Sequence, residues 1–510
     1  METEAVRVKN EEKVAGFFAD RYNLAFVAVI VFAFAIRLYY FLLTKNQALW
    51  FDETEYLGMA KHWVFNTYAI MNPQRVPVMP LVAAIIYKIG GTTAAVKFFT
   101  SVLPSTGIVA MFYFLGGKMY GKKIALFASV IAAVFWVTLF WTNRINTDML
   151  AFLFVLIALY FTWSGYVLKE NERHARYALP VFVLSFLTKP NMAIVIIVAA
   201  AFLLFYSGLE PLRKKAFWMS WLLSLLIVIP FLVWQKIQYG SFLAFRSATH
   251  ILAKGTEFQI SYKPPAWYVF NYVYTFPESV LFWAAALGLA LFIFYLFIGR
   301  DLIKKDKVLA ANLFLITLLS VSLAYFVFIE RDAEDRWILP IALPLFYAAS
   351  SALAQIQQWI QKAVMQFGRH AALATVVFLL ASGAYVQLSH ADSIIKLKMG
   401  TYSQEPAAGM WLKDHTSPND LIIANNEHVP FVFYSERRVD GVSIFESREK
   451  LKDLMPKYYV VTAYYNSPAW TYELPQKYPS SLLPVQVFYE NRGGQKMPAI
   501  VIYEFKGYDF

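Results

Sequence analysis

Hydrophobic positions along this chain come in long unbroken runs between short polar stretches, and only beyond about residue 390 do the runs shrink to strand length. A helix crosses a ~30 Å hydrocarbon layer with roughly 20 apolar residues. The runs that reach this length are Leu24 to Leu43, Ala94 to Leu115, Ile124 to Trp141, Met149 to Tyr166, Trp218 to Trp234, Val280 to Ile298, Leu309 to Ile329, Trp337 to Leu353 and Ala371 to Leu388. One more stretch, Tyr177 to Tyr206, reads either as a single kinked helix or as two short ones meeting at "TKPN" (Thr188 to Asn191), where the proline disfavours helix continuation. Loop charge separates the two readings. With a hairpin here, "EPLRKK", "RDLIKKDK" and "QKAVMQFGR" share a side with the N-terminus, "GGKMYGKK" and "KENERHAR". The positive-inside rule makes that side cytoplasmic. The expectation is therefore about eleven spans, N-terminus inside, C-terminus outside, with long outer loops at residues 44 to 93 and 236 to 277.

From residue 391 to Phe510 the apolar runs "LIIAN", "FVFY", "YYVVTAYY", "VQVFYE" and "AIVIYEF" read as strands, with the helix-like "EPAAGMWLKDH" and "SREKLKDLM" among them. The fold class expected is an α-helical multi-pass membrane protein with a C-terminal extracytoplasmic mixed α/β domain, divided into residues 1–390 and 391–510.

Composition agrees and narrows the partners. In 510 residues, 59% hydrophobic and 18% aromatic content exceeds what a soluble core uses. The 46 Lys and Arg against 34 Asp and Glu sit largely in short loops, which fits orientation in a bilayer and argues against nucleic acid. No cysteine is present, so disulfides, thiolate nucleophiles and Cys-type metal sites are excluded. The polar start "METEAVRVKNEEKVAGFFADRYN" lacks a small-residue cleavage pattern, so the first span is expected to remain.

Charges at membrane depth cost some ~2.5 to 3.5 kcal/mol each at a helix centre, so each that does not reach water is a candidate for function. They gather on the expected outer side: Arg37 near the end of the first span, Asp52, Glu53 and Glu55 in "ALWFDETEYLGMAKHW", Arg75 before "VPVMP", Arg144 and Asp148 around "TNRINTD", Lys189 in the hairpin, and Arg331 and Arg336 beside "DAED". On a helix Asp52 and Glu53 point ~100° apart while Asp52 and Glu55 share a face, so the three acids need not serve one role. A carboxylate facing several Arg and Lys suits a lipid-phosphate donor: the cations hold the phosphate leaving group while the acid takes a proton from the incoming nucleophile. No Gly-rich phosphate loop follows a strand, and nucleotides are not supplied outside the membrane. Plainer readings stand beside each residue: a solvated helix start for Asp52 and Glu53, surface for Glu55, snorkelling for Arg37, headgroup anchoring for Arg75 and Lys189, a helix cap for Asp148, an ion pair within "ERDAEDR" for Arg336, and structural roles for His62 and His250. The aromatics of residues 263–277 fit an interfacial belt.

Taken in order, "WFDETEYLGMAKHW", "RVPVMPL", "NRINTDML", "FLTKPN", "QYGSF" and "RWILP" resemble the GT-C class of polyprenyl-phosphate-sugar-dependent glycosyltransferases. The branch is that of protein O-mannosyltransferases and aminoarabinose transferases, and the likeness runs over roughly residues 24 to 360. The resemblance implies Asp52 as catalytic base, Glu53 beside it in acceptor binding or support, Arg75, Lys189 and Arg336 toward donor phosphate, and Asp148 as the acid of the second outer loop. It implies an inverting transfer at the outer face of the plasma membrane, with a polyprenyl-phosphate sugar as donor and a glycan, lipid or protein as acceptor. The "WWDYG" signature of oligosaccharyltransferases is absent. No cofactor is indicated; a divalent metal held by Asp52, Glu53, Asp148 and His62 is left open, since their spacing carries no signature.

Rival classes are a transporter or flippase, which would show paired halves with matching broken helices, and a non-catalytic glycan- or lipid-binding scaffold, which would tolerate Asp52→Asn.

Overall fold

The computed structural model describes residues 16–246, 279–330, 334–337, 339–364, 368–425, 428–442 and 452–508. Most of the second expected outer loop, with His250, Arg331, the 263–277 aromatics and most of "SREKLKDLM", lies outside the described residues.

Among the described residues, nine helices are long and apolar enough to cross a membrane. They are α1 (Arg21–Thr44), α4 (Thr93–Met119), α7 (Asp148–Val167), α9 (Pro190–Ser207), α10 (Lys215–Tyr239), α11 (Val280–Ile298), α12 (Lys307–Ala324), α13 (Leu339–Ala363) and α14 (Gly368–Lys398). A bent pair, α5 (Lys122–Val134) and α6 (Trp136–Thr142), meeting at 49°, makes a tenth span. The protein is thus the helical, multi-pass membrane protein the sequence describes. The break at "TKPN" is present: α8 (Glu172–Phe186) ends before it, Lys189 is extended (φ −153°, ψ 111°), and Pro190 opens the next turn. The opening "ERHAR" of α8 is polar and the helix has 15 residues, which is why it falls short of a span by length and composition.

The chain divides into two compact units. The first comprises residues 1–43, 98–143 and 147–395; the second comprises 44–97, 144–146 and 396–510. In the first, α11 and α13 approach so closely that a Cβ on Gly288 would stand 1.9 Å from the Ala348 carbonyl oxygen, which only glycine permits. Arg37 lies wholly inside this unit, 0% exposed, rather than snorkelling to an interface. Its partners are hydroxyls and backbone carbonyls from other segments of the unit, which local sequence does not reveal.

In the second unit, α2 (Phe51–Phe65) and α3 (Val78–Lys88) from the expected first outer loop share a core with the C-terminal region. Leu49, Tyr56, Leu57, Ala60, Met79 and Ala83 pack together with Phe433. The five-stranded sheet runs in the order β2 (Arg438–Gly441), β1 (Leu421–Ala424), β3 (Tyr458–Thr462), β5 (Gln495–Phe505), β4 (Leu482–Arg492). β2, β1 and β3 are parallel, while β5 is antiparallel to both β3 and β4. Strand alternation sorts two cores: Ile422, Ala424, Val460, Ile500 and Ile502 meet α15 (Glu405–His415), and Leu421, Ile423, Tyr459 and Phe505 face the other way. The helix over "EPAAGMWLKDH" is as expected. "FVFY" is not a strand but part of α16 (Val429–Ser435), with Pro430 in its first turn. A short buried apolar run carries no period to separate the two, and proline suits a helix start.

Candidate active site

In the second unit the three acids of α2 meet three different fates. Trp50 precedes the helix in extended conformation (φ −88°, ψ 168°) and offers no capping oxygen. The cap is supplied by Glu53, whose Oε2 accepts the Trp50 backbone N–H at 2.5 Å. Its Oε1 accepts the backbone N–H of Ile145, also at 2.5 Å. Arg144 completes this knot: Nη1 donates to the Ala48 carbonyl at 3.1 Å, Nη2 stands 3.7 Å from Glu53, and the guanidinium lies 3.8 Å from the Trp50 ring centre. Burial lowers the pKa of Arg144, with Glu53 opposing it.

Glu55 is not a surface residue as expected. It is 4% exposed, accepts from Asn72 Nδ2 at 3.0 Å and from Arg75 Nε, and so anchors the segment after α2 to the helix. Arg75 also donates through Nη2 to Asp52 Oδ1 at 2.5 Å, and its guanidinium lies 4.9 Å from the Tyr56 ring centre. Burial lowers the pKa of Arg75, but Asp52, Tyr56 and Glu55 outweigh it and hold the guanidinium firmly charged. Accessibility then separates the acids. The Asp52 side chain is 28% exposed, against 4% for Glu53 and 3% for Glu55. Asp52 is therefore the most accessible of the three carboxylates.

A further cation of this unit, Lys97, was absent from the sequence-based candidates although a lysine within an apolar run is a signal for one. It is 3% exposed and donates to the Thr44 carbonyl at 2.9 Å and hydroxyl at 3.2 Å. His62 accounts for its ring by donating from Nδ1 to the Thr67 carbonyl at 2.8 Å. Among the described residues, no three of His, Asp and Glu gather as metal ligands.

The first unit brings together Asp148, Lys189 and Arg336. Asp148 begins α7, is 0% exposed, and accepts a hydrogen bond from Lys189 Nζ. Lys189 lies 5.9 Å from the Trp337 ring centre, and Arg336 stands close enough for its charge to act on it. Arg336 forms the pair with Glu334 that "ERDAEDR" allows, and its guanidinium lies 4.6 Å from the Trp141 ring centre. Trp141 Nε1 donates to Asp335 Oδ1 at 2.9 Å. Burial raises the Asp335 carboxyl to about 7, against the pull of that hydrogen bond.

Helices that enclose buried charge, a bent span and a terminal mixed sheet define a multi-pass membrane protein of the GT-C glycosyltransferase fold. Residues 73–234 match the family model of dolichyl-phosphate-mannose-protein mannosyltransferases. The structure is similar to that of ArnT from Cupriavidus metallidurans bound to undecaprenyl phosphate: TM-score 0.61, 13% identity, covering 94% of this chain and 97% of that one. It is similar to the Archaeoglobus fulgidus oligosaccharyltransferase tethered to an acceptor peptide, with TM-score 0.61, 13% identity, and 94% and 74% covered. The mycobacterial arabinofuranosyltransferase AftD also matches, with TM-score 0.55, 13% identity, and 95% and 40% covered. No curated protein matches the sequence.

Proposed function

We propose that this protein is an inverting glycosyltransferase that moves a sugar from a polyprenyl monophosphate to a glycan, lipid or protein acceptor on the outer face of the plasma membrane. The observation that carries the reading is the accessibility of Asp52 among acids otherwise committed to backbone and arginine. Its carboxylate takes the proton of the acceptor hydroxyl, and the oxygen attacks the anomeric carbon. The bond from that carbon to the phosphate oxygen breaks, and the polyprenyl phosphate departs with the electron pair. One displacement gives inversion. Arg75, Lys189 and Arg336 are assigned to the donor phosphate, since charge that shifts onto a leaving phosphate is stabilised by fixed cations. Glu53 supports Asp52 by holding the helix start, and Asp148 holds Lys189. The lipid donor is supported by the likeness to ArnT bound to undecaprenyl phosphate and to an archaeal oligosaccharyltransferase solved with a dolichol-phosphate. The outer-face orientation, with the N-terminus cytoplasmic and the C-terminal region outside, is supported by the basic short loops.

The test is transfer of labelled sugar from polyprenyl-phosphate donors in membranes, comparing the native protein with Asp52→Asn. Equal rates reject the base assignment. Failure to transfer from any common donor favours a transporter or scaffold.

A further inference from the structure

The third span is broken where its sequence, "AAVFWVTLFW", contains neither proline nor glycine, so the cause of the break must lie elsewhere in the fold. In an unbroken helix the Ala132 carbonyl would accept the Trp136 N–H, and the Ala133 carbonyl that of Val137. Neither arrangement is used. The Trp136 N–H donates to Gln387 Oε1 at 3.1 Å, from α14. The Ala132 and Ala133 carbonyls accept from Arg37 Nη2 at 3.3 Å and Nη1 at 3.0 Å, from α1. Arg37 Nη2 also donates to Thr138 Oγ1 at 3.3 Å, Nη1 to the Ala33 carbonyl at 3.1 Å, and Nε to Ser105 Oγ at 2.7 Å. A guanidinium has five N–H donors, and each finds an acceptor here. Arg37 is therefore fully used as a clamp and keeps no donor for a reactant.

The clamp acts on α6. Thr138, which Arg37 holds, itself donates to the Phe135 carbonyl at 2.9 Å, closing the first turn after the break. Trp136 packs edge-on to His390 of α14 with ring centres 4.6 Å apart. One turn further on, Trp141 reaches Asp335 with its indole N–H and Arg336 with its ring face.

We propose that Arg37 and Gln387 are positioning residues: by taking up the two halves of the backbone bond missing at Phe135 they orient α6, and through Trp141 they hold Arg336 where it meets the phosphate of a lipid-linked donor. The proposal rests on the reading of Arg336 as a donor-phosphate ligand. Asp335, on the other face of the contact, acts as the acceptor that fixes the indole.

Full-length protein in nanodiscs is titrated with undecaprenyl phosphate, with melting temperature recorded for every variant. Arg336→Ala is the reference and is expected to weaken binding about tenfold. Gln387→Leu and Thr138→Val are expected to weaken it about three- to tenfold while the protein remains folded, and Arg37→Lys at least as much. Combining Gln387→Leu with Arg336→Ala is expected to weaken binding no further than Arg336→Ala alone, because the clamp works through that arginine. Native affinity in folded Gln387→Leu and Thr138→Val, with Arg336→Ala weakened, overturns the positioning role and leaves the phosphate reading intact. Native affinity in Arg336→Ala overturns the phosphate reading itself and the proposal with it. Full additivity in the double variant also overturns the route through Arg336.

Discussion

Arg75 donates to Asp52 at 2.5 Å from a segment that begins only after the helix carrying Asp52 has ended. The same guanidinium holds Glu55, so one arginine orients the accessible acid while neutralising the buried one. Asp52→Asn keeps the hydrogen bond to Arg75 and removes the proton acceptor. Transfer is expected to fall about 10²- to 10⁴-fold with donor affinity near native, as single-turnover kinetics beside equilibrium donor binding will reveal.

Glu53 has a structural demand on each oxygen. Glu53→Gln retains one carbonyl oxygen and Glu53→Ala none, so alanine is expected to be the less stable of the two by about 1 to 3 kcal/mol, the cost of a buried N–H left without a partner. Denaturation of the two variants in matched detergent gives the difference. Equal stability would mean that the Trp50 and Ile145 amides do not depend on this side chain.

Asp148 is wholly buried against Lys189. Lys189→Met removes the cation that pairs with this buried carboxylate, and a stability loss of about 3 to 5 kcal/mol is expected. Adding Asp148→Asn should recover most of that stability but not the affinity for undecaprenyl phosphate. Recovery of both in the double variant would assign the pair a purely structural role.

The Asp335 carboxyl, raised to about 7 by burial, links folding to pH. Between its ordinary range near 4 and about 7 the unfolded chain releases this proton while the folded protein keeps it, so stability falls as pH rises through that window and levels off above it. Asp335→Asn imitates the protonated form. Its melting temperature relative to native is expected to climb from pH 4 to pH 7 and then run parallel. A difference constant with pH would place the titration elsewhere.

The spans were legible because long apolar runs admit few readings, and the break at "TKPN" because proline marks it; the two crossings expected there are matched by one helix of spanning length, Pro190–Ser207, among the described residues. The bend at Phe135 carries no such mark; its determinants, Arg37 and Gln387, are 98 residues before it and 252 after it, positions no local window joins. Distance also explains Glu55, which looked like a solvated acid until Asn72 and Arg75 closed over it from 17 and 20 residues away. "FVFY" failed for a different reason: four apolar residues fit a strand or one turn of a buried helix equally well. Asp52, Glu53, Arg75, Asp148, Lys189 and Arg336 were singled out as charges beside apolar runs. Which of them pair, and which remain accessible, depended on side-chain reach that spacing does not encode.

The close approach of α11 and α13 at Gly288 has a consequence for how this protein can vary. Side chains elsewhere along these two helices can be exchanged for others of similar bulk, but at Gly288 even one methyl group would have to push the Ala348 backbone aside. The pair is therefore expected to respond to Gly288→Ala by spreading apart or failing to assemble rather than by local repacking. That makes this position a sharper probe of membrane assembly than any of the surrounding leucines and phenylalanines.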